Sequence, residues 1–307
     1  MVVPTTSSTP KLIGVLGSTG TTGSAVLRSL LAPNKKPSTG DAAIRVRALV
    51  RNVDKARKLF PVEDVEFVQI ADFKDLDAVT KALKGVEALY AMTPPICEEQ
   101  ILLDAVAAQA AHVADVKHVV YLSSIDANPT SNLKIIRAHG VAENIYRHYD
   151  YALSILRASW FMDNFLTQTG GIYASSKSRD IPYIAASDIG RAAAALLLGP
   201  IPKTGKTATF NLYHPQVLSN ENIAEVMTTS LGKDVAVVTL PGSTIAEAAV
   251  QTMGMSKFTA DAMVELMEAG FDESYETANT LPGYKQIVGT DPISFEEFVK
   301  VNKAQFK

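Results

Sequence analysis

The sequence predicts an α/β protein built on a doubly wound, mostly parallel sheet, with a smaller α/β part towards the C-terminus. Two observations carry this. A glycine-rich turn, Gly17-Ser18-Thr19-Gly20-Thr21-Thr22-Gly23, sits between the apolar run Leu12–Leu16 and the helical run Ala25–Leu31. Beyond it, short β-favouring runs alternate with amphipathic segments as far as Leu156, the order that places parallel strands between crossover helices. The chain has 307 residues, 47% of them hydrophobic and 20% charged, enough to bury a full core. Its net charge of −3 excludes recruitment of nucleic acid by bulk charge. A single cysteine, Cys97, excludes an internal disulfide framework, and it reads as structural. No run is apolar enough for a membrane span, and residues 1–10 lack the pattern of a signal peptide. The expectation is a cytoplasmic protein with a flexible start.

The first strand is Leu12–Leu16. Val26, Leu27, Leu30 and Leu31 share one face of the helix that follows. Residues 32–43 hold Pro33, Pro37 and Gly40 and read as a solvated loop. Strand two, Ile44–Val50, ends in Arg51-Asn52. Strand three, Val65–Ile70, ends in Ala71-Asp72-Phe73. Asp75 caps a helix carrying Leu76, Val79 and Leu83, closed by Gly85. Strand four, Ala88–Met92, runs into Thr93-Pro94-Pro95. The segment Glu98–Val113 is a helix with Ile101, Leu102, Ala105, Val106 and Val113 as its expected inner stripe. Strand five, His118–Leu122, ends in Ser123-Ser124. A helix over Leu133–Tyr149 presents Ala138, Val141, Ala142, Ile145 and Tyr149 for burial. Strand six, Tyr151–Leu156, leads into Arg157 and the aromatic stretch Trp160–Phe165.

Periodicity is less regular after Trp160. Pro182-Tyr183-Ile184 is a short strand, and Ser187-Asp188 is expected to cap a helix over Ile189–Leu196. Thr207–Leu212 is a strand, Ser219 to Gly232 bound a helix, and Val235–Val238 is a strand. Thr244–Met253, Thr259–Ala269 and Phe295–Ala304 are amphipathic, the last opened by a Ser294/Glu297 capping box. The expected division is a tail at 1–10, a nucleotide-binding part at 11–157 and a smaller substrate-binding part at 158–307, partly interleaved with the first.

A strand, a glycine turn and a helix N-terminus together make a phosphate site. Glycines allow the sharp turn, the approach of phosphate to backbone N–H groups and close helix packing. The residues Gly17 to Gly23 therefore point to a dinucleotide. At the end of strand two an acidic residue would bind the ribose 2′-hydroxyl of NAD. Arg51, with Lys55 and Arg57 nearby, suits the 2′-phosphate of NADP(H) instead. Ligands of such sheets lie outside the strands' carboxyl ends. Asp72 and Phe73 are accordingly placed at the adenine, Thr93 and Pro94 at the ribose, and Ser123 and Ser124 against the cofactor. His139 is a candidate for cofactor orientation or proton donation, set against a helix histidine bonded to Glu143. Asn164 is a candidate for orienting substrate, set against a capping role. Trp160, Phe161 and Tyr183 are candidate walls of an aromatic substrate pocket. His112, His118, His148 and His214 are scattered without metal-ligand spacing, so no metal is expected.

Gly17–Gly23, Ala48–Asn52, Val120–Ser124, Ile155–Arg157 leading into Trp160–Asn164, Pro182–Ile184 with Asp188-Ile189, and Ser294–Phe298 together resemble the NmrA-like group of atypical short-chain dehydrogenases/reductases. The resemblance spans Lys11 to Phe306. It implies an NADP(H)-binding Rossmann fold. Within the group, the stretch Trp160–Phe165 looks like that of fungal ergot-alkaloid reductases acting on a cyclic iminium, and of bacterial quinone reductases. The Tyr-x-x-x-Lys of typical short-chain dehydrogenases is missing from the helix after strand five, where His139 stands at the position of a group Lys or His. Three functions stay open: an NADPH-dependent reductase of an iminium, enone, quinone or carbonyl in secondary metabolism; a dinucleotide sensor that binds a protein partner; and a non-redox isomerase or cyclase. The sensor would need the glycine loop but no pocket beyond it.

Overall fold

The structure, a computed structural model, describes residues 10–32, 44–61, 64–94, 97–167, 171–175, 180–269 and 283–306. The expected flexible start before residue 10 and nearly all of the expected loop at 32–43 lie outside them. The nucleotide-fold elements run β1 (Leu12–Leu16), α1 (Thr21–Leu31), β2 (Arg45–Val50), α2 (Val53–Leu59), β3 (Val65–Gln69), α3 (Leu76–Leu83), β4 (Ala88–Ala91), α4 (Gln100–Val113), β5 (His118–Ser124), α5 (Lys134–Arg147) and β6 (Ala152–Ala158). A 3₁₀ turn over Met162–Thr167 follows, then β7 (Ile172–Ser175), β8 (Ile181–Pro182), α6 (Ala186–Leu198), β9 (Thr207–Leu212), β10 (Val217–Leu218), α7 (Asn220–Leu231), β11 (Val237–Leu240), α8 (Gly242–Met253), α9 (Lys257–Ala269), α10 (Tyr284–Val288) and α11 (Phe295–Val301).

The main sheet has seven parallel strands in the order β3-β2-β1-β4-β5-β6-β9. Its central strands β1, β4, β5 and β6 are apolar on both faces, and the period of two sorts each of them between two cores. Ile13, Val15, Ala88, Tyr90, Val120, Leu122 and Leu156 face α1 and α6. Leu12, Leu16, Leu89, Ala91, Val119, Tyr121 and Ile155 face α3, α4 and α5. The later residues are not a detached unit. The strand β9 joins the edge of the main sheet, and α6 packs along α1. Lys11 donates from Nζ to the carbonyls of Leu197 and Gly199, placing a cation at the C-terminus of α6. A third core gathers Met162, Phe165, Tyr183, Leu218, Ile223, Met227, Phe295 and Phe298.

Two helices turn differently from the expected stripes. On α4, Ile101, Leu102 and Val113 are 42%, 51% and 58% exposed, while Leu103, Asp104, Val106, Ala107, Ala110 and Ala111 face inward. The helix carries alanines on most sides, so its large residues do not mark the buried face; close packing against α3 and α5 selects the small ones. On α5, Ile135, Ile136, His139, Gly140, Ala142, Glu143 and Tyr146 are buried, whereas Val141, Ile145 and Tyr149 are half-buried. Two polar residues, His139 and Glu143, lie on the inner face because β5 and β6 offer them partners. Asp188 does not cap α6, whose N-cap is Ala185. The carboxylate of Asp163 accepts from the Ala186 N–H at 2.8 Å, and Asp188 holds Arg191 and the Ile293 N–H instead. The strand expected at Val235–Val238 is Val237–Leu240, paired with β7.

Candidate active site

In the main sheet, β1 lies between β2 and β4, so successive crossovers diverge on its two sides and leave a crevice at the carboxyl ends. The glycine turn occupies that point. Gly17 has φ +70°, and a Cβ there would stand 2.9 Å from the Met92 carbonyl oxygen at the end of β4. A Cβ on Gly23 would stand 2.1 Å from the Gly17 carbonyl oxygen, so α1 can follow this closely only on glycine. Asn52, Asp75 and Ser219 cap the helices that follow them with their own side chains. At α1 the N-cap is Gly20, no side chain caps the helix, and the first turn carries no acidic residue. The N-terminal N–H groups and positive dipole end of α1 therefore stand available to an anion.

This turn forms one end of a cavity of about 970 Å³. Gly17, Thr19, Gly20, Thr21 and Thr22 line it; Ser18 and Gly23 are buried behind the turn. From the ends of β2 and β3 come Arg51, Lys55, Asp72 and Phe73. Arg51 and Lys55 are exposed and form no ion pair among the described residues. Lys74, also on this wall, is held by Glu99 at 2.9 Å. Thr93 and Pro94 enter from beyond β4, and Ser123 and Ser124 from β5. Further along, His139, Trp160, Phe161 and Asn164 line the same space. The structure thus brings sixteen of the nineteen expected residues to one cavity, Ser18, Gly23 and Tyr183 being the exceptions. Tyr183 is buried in the third core against Phe165, at 5.3 Å between rings, so it is no part of the wall. The reason is that the strand contact falls at Ile184, which pairs with Phe161.

Among the wall residues that escaped sequence reasoning, Tyr121 comes from β5 and four come from one later segment. Met255, Thr259, Met263 and Leu266, on and just before α9, close the far side of the cavity. Their segment reads as amphipathic, but nothing in its pattern names the surface it covers. The helix α9 is tied to α5 by Glu265, which accepts from the Lys134 N–H at 3.1 Å and pairs with its Nζ at 3.3 Å.

Hydrogen bonding decides what the polar residues can offer. Glu143 is 1% exposed in its side chain and is held by Arg157 at 2.7 Å and Arg147 at 2.9 Å. It also accepts from Ser123 Oγ at 2.7 Å, so the Ser123 proton is committed, and Ser124 is the other hydroxyl of the pair. His139 does not bond Glu143. Its Nδ1 lies 3.3 Å from the Tyr121 hydroxyl. Burial holds the His139 imidazole down at about 4, with the charge of Glu143 opposing, so the ring is neutral at neutral pH. Asn164 is exposed in the 3₁₀ turn and the capping carboxylate there belongs to its neighbour Asp163. Asp104, which sequence reasoning passed over, lies fully buried beneath Thr93 and Tyr121. Among the described residues no group of three or more His, Cys, Asp or Glu could hold a metal, and no helix is long and apolar enough to cross a membrane.

The sheet order and the uncapped glycine turn at its switch point define a protein of the dinucleotide-binding Rossmann class. Comparison with known proteins sharpens this: the chain belongs to the NmrA-like family, which it matches over residues 9–286. It is 30% identical to the NAD(P)H azoreductase of Xenophilus azovorans over 96% of its own length and 99% of that protein's. It is 27% identical to the agroclavine dehydrogenase of Claviceps fusiformis over 78% of its length and 82% of that protein's. Among solved structures, the NADPH-dependent quinone oxidoreductase of Escherichia coli, in complex with NADPH, superposes with a TM-score of 0.74 at 24% identity, covering 94% of this chain and 99% of that one. The negative transcriptional regulator NmrA, solved with NAD, shares the fold at a TM-score of 0.69 and 15% identity, covering 95% of each chain.

Proposed function

We propose that this chain is an NADPH-dependent reductase that passes hydride to a flat, largely apolar, electron-poor acceptor such as a quinone, enone, azo compound or cyclic iminium. The observation that carries the reading is the continuity of one cavity. It runs from the glycine turn to a wall of Trp160, Phe161, Met255, Met263 and Leu266. A sensor needs the first end only; the second end is built for an apolar guest with few polar contacts. The relatives named as an azoreductase, a quinone oxidoreductase and an agroclavine dehydrogenase support a reductase, and the apolar wall suits a flat acceptor.

The chain's residues fit the cofactor. The first turn of α1 and the hydroxyls of Thr19, Thr21 and Thr22 would hold the pyrophosphate, and Arg51 with Lys55 the 2′-phosphate. Asp72 and Phe73 would border the adenine, and Thr93, Pro94, Ser123 and Ser124 the riboses. Bound NADPH would supply the hydride. His139, kept neutral by burial, would offer a hydrogen bond without charge, and Asn164 would orient the acceptor. The absence of Tyr-x-x-x-Lys from α5 suits acceptors that need little acid help before hydride arrives. The roof of α9 would keep water from the transfer.

Fluorescence titration with NADPH and NADH, followed by cofactor consumption against a panel of quinones, azo dyes and cyclic imines, tests this. Preference for NADPH is expected, and Arg51→Ala should lose it by roughly 10- to 100-fold, the worth of one or two charge-assisted hydrogen bonds. Equal binding of NADH by the unaltered chain would contradict the role given to Arg51.

A further inference from the structure

Beneath the reacting end of the cavity lies a buried polar chain. Asp104, on the inner face of α4, has no exposed surface. Its Oδ1 accepts from Thr93 Oγ1 at 2.9 Å and from the Tyr146 hydroxyl at 3.4 Å. Its Oδ2 accepts from the Tyr121 hydroxyl at 3.4 Å, and that hydroxyl lies 3.3 Å from His139 Nδ1. Tyr121 stacks on Tyr146 with ring centroids 4.3 Å apart, which fixes where its hydroxyl points. Thr93, Tyr121 and His139 line the cavity; Asp104 does not. Every hydrogen bond it receives comes from a neutral group, Gln100 included, and among the described residues no cation pairs with it. A carboxylate buried so without a cation is costly, and taking up a proton relieves that cost.

We propose that Asp104 is a positioning residue: its protonation state, passed through the Tyr121 hydroxyl, selects the tautomer of His139 and so decides whether that ring offers the cavity a donor or an acceptor. The consequence for turnover rests on the reductase reading. The logic is that a hydroxyl has one proton. With Asp104 ionised, Tyr121 donates to Oδ2, its oxygen takes the His139 Nδ1–H, and Nε2 is left bare. With Asp104 protonated, its O–H donates to the Tyr121 oxygen, Tyr121 donates to Nδ1, and Nε2 carries the proton.

The second form can deliver a proton to an acceptor heteroatom made anionic by hydride addition. The Nε2–H bond breaks as the new heteroatom–H bond forms. Nδ1 takes the Tyr121 proton, and Tyr121 takes that of Asp104. Hydride carries both electrons; the three proton shifts carry none. Asp104 ends as a carboxylate and regains its proton from solvent.

The surroundings put the switch near neutrality. Burial pushes the Asp104 carboxyl up to about 7, with its hydrogen-bond donors pulling the other way. Burial also holds the His139 imidazole down at about 4 and the Tyr121 and Tyr146 phenols well above their usual range. The remaining groups facing the chain are Glu143, held by Arg157 and Arg147; Glu99, held by Lys74; the Cys97 thiol, which burial raises; and the Tyr151 phenol beside Tyr146, which burial also raises.

The test is long-range ¹H–¹⁵N spectroscopy of the full chain labelled in histidine, with His139→Gln used to assign its ring. The expected result is a neutral ring that passes from the Nε2–H to the Nδ1–H tautomer as pH rises through about 7, and a single tautomer across that range in Tyr121→Phe and Asp104→Asn. If Asp104→Asn does not fold, Tyr121→Phe, which keeps the ring and its stack, carries the comparison. A single tautomer in the unaltered chain, or the same switch in the variants, would overturn the proposal. In parallel, the pH profile of kcat/KM for reduction of 1,4-benzoquinone should lose its limb near 7 in Tyr121→Phe; a retained limb would count against the relay. No turnover by the unaltered chain would overturn the reductase reading, whereas a tautomer switch in the same sample would still support the role of Asp104.

Discussion

His118 and His139 are buried, and burial holds both imidazoles down at about 4. In the unfolded chain they protonate near pH 6.5. The unfolded state therefore takes the proton first, and each histidine withdraws stability as pH falls from about 6.5 towards 4. Asp104 runs the other way. Its carboxyl is raised to about 7, so the folded chain keeps a proton that the unfolded chain has already lost. Its contribution is present below about 4 and is lost as pH rises through about 7. The opposing slopes overlap in one window. Asp104→Asn removes the opposing slope, so its urea midpoint should fall more steeply than that of the unaltered chain between about pH 6.5 and 4.5. Equal slopes would contradict a carboxyl raised by burial. His139 was legible as a candidate, but Asp104 and Tyr121 were not. An aspartate midway along a helix ordinarily reads as solvated, and a tyrosine in a strand reads as a β-former. Their meeting depends on which way α4 turns.

At the scale of the element, the glycine turn was legible because its requirements are local. The sharp turn at Gly17 and the approach of Gly23 to the Gly17 carbonyl need no knowledge of the rest of the chain. The strand ends were legible for the same reason, and Arg51, Asp72, Thr93 and Ser123 all reach the cavity. The helices α4 and α5 were not. Alanines on several sides of α4 and two buried polar residues on α5 break the link between hydrophobicity and burial. Tyr183 went astray because a shift of one residue along a strand moves a side chain to the other face. The roof α9 makes its own prediction. Met263→Trp should fill part of the acceptor wall, raising KM for a bulky quinone or azo dye by about tenfold or more while leaving the Kd for NADPH unchanged. An unchanged KM would remove α9 from the acceptor site.

For the whole molecule, the parallel sheet is legible in the alternation of strands and helices as far as β6, while the order β3-β2-β1-β4-β5-β6-β9 is seen only in the structure. The last strand and the pairing of α6 with α1 come from the later residues, so the two expected parts share one sheet and one core. The glycine turn and the roof line a single cavity. The central claim is that this cavity joins cofactor and acceptor for hydride transfer. Single-turnover transfer of label from NADPH deuterated at nicotinamide C4 tests it most directly. Deuterium should appear in the reduced quinone, azo or imine product. Tight binding of both NADPH and NADP⁺, with the label retained on the cofactor in the presence of every acceptor, would contradict the claim and leave a dinucleotide sensor.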